Sequence, residues 1–225
     1  MVLSAPAGVV FDLDGTLVLT EARNAQVWRR FLARYDVPLT PERLTAVTGR
    51  RGLDSLAELS TELPDRFGGR TVAELALEVD EVEAQTPLGE VEPVTGARVL
   101  VERLHAAGVP LAVCTSATRP YALDCLAAIG VDGAFRAVVT AEDVSRGKPA
   151  PDGYLAACGG LGVAPADAVG FEDSVAGVAA VLAAGLTCVG VLTHATASAL
   201  AAAHAVLDDL TQVDRLGWSL PVLRP

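Results

Sequence analysis

Aromatic residues are scarce, making up only 4% of the 225 residues. A core must therefore be filled by Ala, Val and Leu, in a chain that is half hydrophobic and of ordinary globular composition. Positive charge is also short: 17 Lys and Arg stand against 28 Asp and Glu, a formal net charge of −11. That balance excludes a fold-wide basic footprint for nucleic acid, and an anionic ligand would need a local site built from a few cations or a metal. Cysteine is limited to Cys114, Cys125, Cys158 and Cys188, with no C-x-x-C pair and apolar neighbours. Buried reduced thiols are expected rather than a redox or zinc centre, and His105, His194 and His204 are too scattered for zinc spacing. No run of about 18 uninterrupted apolar residues occurs. The start, MVLSAPAGVV, lacks a basic stretch followed by a long apolar one. No membrane association and a cytoplasmic location are expected. Internal repeats and low-complexity tracts are absent.

What remains is an alternation. Short apolar runs at 8–12, 109–115, 136–140, 167–171, 187–191 and 204–207 read as strands covered on both faces. Between them, 96–108, 119–130, 151–162 and 174–185 read as helices that end in Gly, two of them with an early Pro. Strand–helix–strand units of this kind imply an α/β fold with a doubly wound, Rossmann-like parallel sheet. The Ala-rich stretch at 195–205 reads as a surface helix.

Residues 20–91 break the alternation directly after the first strand. EARNAQVWRRFLARY, PERLTAVTG, LDSLAELSTEL and TVAELALEVDEVEAQ are helical in pattern, and no strong strand interrupts them. An inserted α-helical cap over 20–91 is expected, with a core of 1–19 and 92–225 and hinges near 17–20 and 87–96.

In a parallel sheet, ligands gather beyond the carboxyl ends of the strands. There this chain carries Asp12 and Asp14, Thr115 and Ser116, Lys148, and Glu172 with Asp173. Taken singly, several have ordinary explanations: Ser174 as a helix cap, Lys148 as a solvated loop lysine. Together they place crowded acids, a hydroxyl and a cation on one rim. Crowded carboxylates repel one another, and a hard dication with oxygen ligands relieves this. Thr115 and Lys148 suit a phosphate. Phosphoryl transfer is the chemistry such a set supports.

FDLDGT, VCTS, GKPAPD and GFEDSVAG resemble the four motifs of the haloacid dehalogenase superfamily, in order, over residues 8 to 190. The helical insert is similar to the small cap of the subfamily that includes β-phosphoglucomutase. TGRRGLDSL, AVCTSAT and TAEDVSRGKPAPDGYLAACGGLG are similar to its sugar-phosphatase and glycerol-3-phosphatase branch. The resemblance implies that Asp12 is a nucleophile forming an aspartyl-phosphate, and that Asp14 protonates the leaving oxygen and then activates water. It implies Mg²⁺ held by Asp12, the Asp14 carbonyl and Asp173, with Glu172 directly or through water. Thr115, Lys148 and the N–H groups of Leu13 and Ser116 would bind phosphoryl oxygens. An acid at Asp14 serves an alkoxide leaving group, which argues against dehalogenation.

Substrate selection belongs to the insert, where Arg50 and Arg51 either place a guanidinium over the substrate or are ordinary surface arginines. β-Phosphoglucomutases carry a histidine twelve residues after the nucleophile; this chain has Asn24. That favours a phosphatase for a small phosphorylated metabolite, a sugar or polyol phosphate, over a mutase. A non-catalytic phospho-ligand sensor is disfavoured, because every motif position is occupied. A monomer or small homo-oligomer is expected.

Overall fold

The computed structural model describes residues 5–218. Its centre is a six-stranded, all-parallel sheet. The strands are β1 Gly8–Phe11, β4 Leu111–Cys114, β5 Ala137–Val139, β6 Ala168–Glu172, β7 Thr187–Val191 and β8 Ala205–Leu207. They lie in the order β5-β4-β1-β6-β7-β8. The chain winds outward from β1 through β4 to β5, then returns to β6 on the other side of β1. The topological switch therefore falls at the carboxyl end of β1, where such sheets bind ligands.

Alternate residues of each strand feed two separate cores. Val9, Phe11, Val113, Phe171 and Val189 face one way, toward helices α5 (Ala97–Ala106) and α6 (Arg119–Ala128). Val10, Ala112, Cys114 and Cys188 face the other, toward α7 (Asp152–Leu161) and α8 (Val175–Ala183). This is why the strands read as continuously apolar: both faces are dry. Full burial of each such side chain contributes about 1.5–3 kcal/mol. All four cysteines are free and buried; burial pushes the Cys114 thiol up to about 12 and Cys125 likewise.

Between β1 and β4 the chain leaves and re-enters through a small antiparallel ribbon, β2 Val18–Leu19 with β3 Glu92–Pro93. Each ribbon strand is only two residues long, too short for any periodicity to announce it. The intervening helices are α1 Glu21–Ala33, α2 Pro41–Val47, α3 Gly52–Glu62 and α4 Val72–Ala84. They enclose a third apolar cluster around Phe31, Leu56, Phe67 and Leu75, with Trp28 at its edge. Local chemistry sets their starts: Thr40 caps α2 with Pro41 following, and Thr71 and Glu74 form a reciprocal capping box on α4.

The Ala-rich stretch at 195–205 is not the expected helix. Thr196 closes only a turn or two through Ala199 and Leu200. Leu200 is fully buried, and the His204 N–H then donates to the Cys188 carbonyl, drawing the chain into β8. The demand for a sixth paired strand overrides alanine's helix propensity. Among the described residues, no helix is long and apolar enough to cross a membrane.

Candidate active site at the carboxyl end of the sheet

Register aligns the site. Phe11 pairs with Phe171 on one side and with Val113 on the other, and the two phenyl rings stack at 5.0 Å. The residues just beyond, Asp12 and Glu172, therefore emerge side by side, with Thr115 one strand over. Lys148, on the loop that leads into α7, reaches back between them. Its Nζ donates to Asp12 Oδ1 and, at 2.5 Å, to Glu172 Oε1. Glu172 is fully buried and also accepts from Tyr154 Oη at 2.6 Å and from Ser174 Oγ at 3.1 Å. Ser174 caps α8 through the Gly177 N–H as well, so helix cap and site ligand are one residue. Gly177 must be glycine: a Cβ there would lie 1.9 Å from the Glu172 carboxylate.

Asp173 lies beside this pair. Its Oδ2 accepts from Thr193 Oγ1 at 3.3 Å and lies 3.4 Å from His194 Nδ1, while His194 Nε2 lies 3.0 Å from Glu21 Oε2. Gly15, at φ +81°, lets the turn pass underneath, where a Cβ would fall 2.0 Å from Asp173 Oδ2. Burial raises Asp12 well above the usual carboxylate range; Lys148 opposes that, while Glu172 and Asp173 add to it. Burial, with Glu172 and Glu21 nearby, pushes Asp173 up to about 6 despite its bond to His194. Burial disfavours a charged His194, but Asp173 and Glu21 outweigh it and push the ring up to about 9. Lys148 behaves alike: burial pulls it down, yet Asp12 and Glu172 hold it well above its ordinary value.

One oxygen each from Asp12, Glu172 and Asp173 lies within 4.8 Å of the others, and all three residues are buried. The donors are all oxygen, and burial makes their mutual repulsion costly. That is a fit for a hard divalent cation such as Mg²⁺.

Asp14 sits in a different setting. Its Oδ1 accepts from three donors: Thr20 Oγ1, Asn24 Nδ2 at 3.1 Å and Tyr121 Oη at 2.8 Å. Thr20 ends the ribbon, Asn24 is on α1, and Tyr121 is in the first turn of α6. Burial and the charge of Asp14 raise the phenol's pKa, so it stays a donor.

The insert closes over this rim. Ser116 Oγ donates to the Gly49 carbonyl at 3.0 Å, and Gly49, at φ +74°, packs on Ser174. Arg51 Nη1 and Nη2 donate to the carbonyls of Val144 and Ser145 at 2.8 and 3.0 Å, and the same guanidinium is bidentate on Asp54. Arg50 pairs with Glu58. The two arginines line the wall of a groove of about 450 Å³ shared with Arg146 and Lys148, with their charges already matched. Leu13 is fully buried below the turn.

The structure thus gathers Asp12, Asp14, Thr115, Ser116, Lys148, Glu172 and Asp173 at one strand-end rim, with Asn24 in direct contact and Arg51 acting between insert and core. Tyr121, Tyr154, Thr20 and His194 join them without having been singled out as site residues from sequence. Thr20 and Asn24 do carry a signal, being one helical turn apart at the start of α1. Tyr121, 107 residues from Asp14, carries none.

The family model for haloacid dehalogenase-like hydrolases matches residues 6–185, and the chain belongs to that family. It is 41% identical over 204 residues to the validoxylamine A 7′-phosphate phosphatase of Streptomyces hygroscopicus subsp. limoneus, covering 91% of this chain and 94% of that protein. It is 35% identical to hexitol phosphatase A of Escherichia coli, covering 92% of each. Among solved structures, a hydrolase from Pseudomonas syringae superposes with a TM-score of 0.83 at 29% identity, covering 93% of this chain and 97% of that one.

Proposed function

We propose that the protein is a Mg²⁺-dependent phosphatase that hydrolyses monoesters of small phosphorylated sugars or polyols through an aspartyl-phosphate on Asp12. The observation that carries this reading is that two aspartates two residues apart occupy opposite surroundings. Asp12 lies in a buried hub of acids and one ammonium, while Asp14 is ringed by hydroxyl and amide donors. Paired carboxylates in contrasting environments are how one site divides nucleophile from acid–base. The names of the relatives support the substrate class.

Asp12, the Asp14 carbonyl and Asp173, with Glu172, would hold Mg²⁺, which neutralises charge so that a carboxylate can approach a phosphate. An Asp12 oxygen bonds to phosphorus as the ester P–O bond breaks, and Asp14 gives its proton to the departing alkoxide. Asp14 then takes a proton from water as that water attacks phosphorus, and the P–O bond to Asp12 breaks, releasing phosphate. Lys148 and Thr115 hold the phosphoryl oxygens, with the N–H groups of Leu13 and Ser116. Residues 20–91 act as a cap over this core (1–19 and 92–225) that excludes bulk water while the phosphoryl group transfers. Asn24 supports hydrolysis over mutase chemistry, since a carboxamide, unlike an imidazole, neither takes up nor gives up a proton near neutral pH. The four buried free thiols suit a reducing compartment and support a cytoplasmic location.

The test is a panel of sugar, polyol and aryl phosphates with free phosphate as the readout, with Mg²⁺ and with EDTA. Release that needs Mg²⁺ is expected. Interconversion of β-glucose 1-phosphate and glucose 6-phosphate without release would replace this reading with a mutase, and turnover that survives exhaustive chelation would remove the metal from it.

A further inference from the structure

We propose that Tyr121 is a positioning residue for Asp14, holding its Oδ1 so that the acidic proton is carried on Oδ2 and aimed at the leaving oxygen. The inference rests on the phosphatase reading above.

Three donors converge on Oδ1. A carboxyl oxygen whose lone pairs are taken up by donors is a poor place for a proton, so the proton is left to the other oxygen. Thr20 and Asn24 belong to the ribbon and the insert. Tyr121 stands on α6, against the core cluster below the sheet rim. It is therefore the donor that belongs to the same rigid body as Asp12 and Asp14. Its ring is fixed from the other side: the Arg23 guanidinium lies 5.2 Å from the ring centroid. Arg23 is in turn tied to the carbonyls of Thr86 at 3.2 Å and Glu83 at 3.4 Å, just beyond and at the end of α4. The insert thus sets a cation against the ring whose hydroxyl orients the acid.

The prediction concerns one chemical step. A misaimed acid hampers departure of a basic alkoxide or phenolate; it does not hamper p-nitrophenolate, which is stable as an anion and leaves without a proton. Phenyl phosphate and p-nitrophenyl phosphate are nearly the same shape, so the pair isolates leaving-group basicity from binding. kcat/KM reports only the steps through departure of the leaving group, so the later use of Asp14 as a base does not enter.

Tyr121→Phe keeps the ring and removes the hydroxyl. Its kcat/KM is to be measured against wild type on phenyl phosphate, p-nitrophenyl phosphate and sorbitol 6-phosphate, with a melting curve for each protein. The expected result is a loss of about 10-fold or more on phenyl phosphate and on the sugar alcohol ester, within the range of general acid catalysis, and less than about twofold on p-nitrophenyl phosphate. An equal loss on both aryl esters, or no loss on either, overturns the role of Tyr121 while leaving the phosphatase reading intact. Wild-type protein that releases phosphate from none of the three overturns that reading, and this proposal with it.

Discussion

The sheet rim and the helical insert treat charge in opposite ways. At the rim, three buried carboxylates crowd around one buried ammonium: Lys148 bonds Asp12 and Glu172, and Asp173 alongside meets the exposed ring of His194. On the insert, several arginines come with their own acids: Arg50 with Glu58, Arg51 with Asp54, Arg43 with Glu62, Arg34 with Glu78, while Arg23 and Arg30 bond backbone carbonyls. Exposed pairs of the second kind contribute about 0–1 kcal/mol and hold shape. Uncompensated buried charge of the first kind costs several kcal/mol, and a fold retains it only where something else completes the set. The rim is thus built for a dication and a phosphate, while the two arginines of the insert that line the groove, Arg50 and Arg51, are each matched by an acid of the insert.

The sharpest way to break that contrast is at Asp12. Asp12→Asn keeps the shape and removes the attacking oxygen's charge. A loss in kcat of about 10⁴-fold or more is expected on any ester the wild type turns over. The melting temperature of the metal-free protein should not fall, because one crowded charge is gone. Activity within tenfold of wild type would falsify the nucleophile assignment.

A smaller effect separates the two insert arginines. Arg51 ties the insert to the 144–145 loop that feeds Lys148 through two carbonyl bonds, and a bidentate pair with Asp54 of the insert holds the guanidinium in place. Arg51→Ala should lower kcat/KM about tenfold by loosening the groups around the reacting phosphate. Among the described residues Arg50 pairs with Glu58 alone, and Arg50→Ala should cost about twofold or less. If Arg50→Ala gives the larger loss, its guanidinium reads the substrate and the idea that the groove arginines are spent on their own acids is wrong.

How legible all this was in the sequence follows the same divide. Part of the rim could be read from strand ends, because Asp12, Thr115 and Glu172 follow apolar runs and the sheet order brings those ends together, whereas Tyr154 and His194 carried no such mark. The six strands and the four core helices followed from both-face burial and Pro/Gly punctuation. The insert's helices were visible from their spacing, but not what their side chains touch. Arg51's partners lie 93 and 94 residues away, and Tyr121's lies 107 away. No local pattern encodes such contacts. The Ala-rich 195–205 stretch misled because helix propensity is a weak prior beside the pairing of β8 with β7. The two-residue ribbon strands fall below the length at which alternation can be recognised.

The gentlest test reads the rim's imbalance directly as stability. An aspartate whose folded pKa exceeds its unfolded value binds its proton more tightly when folded, so its contribution is fully present below about pH 4 and is lost as pH rises through the folded value. For Asp173 that value is about 6. His194, raised to about 9 by Asp173 and Glu21 against its burial, contributes stability that is complete below its unfolded value and lost through 9, the same direction. In EDTA the melting temperature should therefore fall from pH 5 to pH 7 by roughly 2–4 °C, as expected for about 1 kcal/mol from buried Asp173 in a chain of this size, the 37% exposed His194 side chain adding little because solvent screens it. Mg²⁺ requires the ionised carboxylates, so the rise in melting temperature on adding it should be larger at pH 7.5 than at pH 5.5. A metal-free protein that grows more stable over this range would mean that the rim acids are not crowded in solution. An Mg²⁺ shift independent of pH would mean that the ion binds somewhere other than these carboxylates.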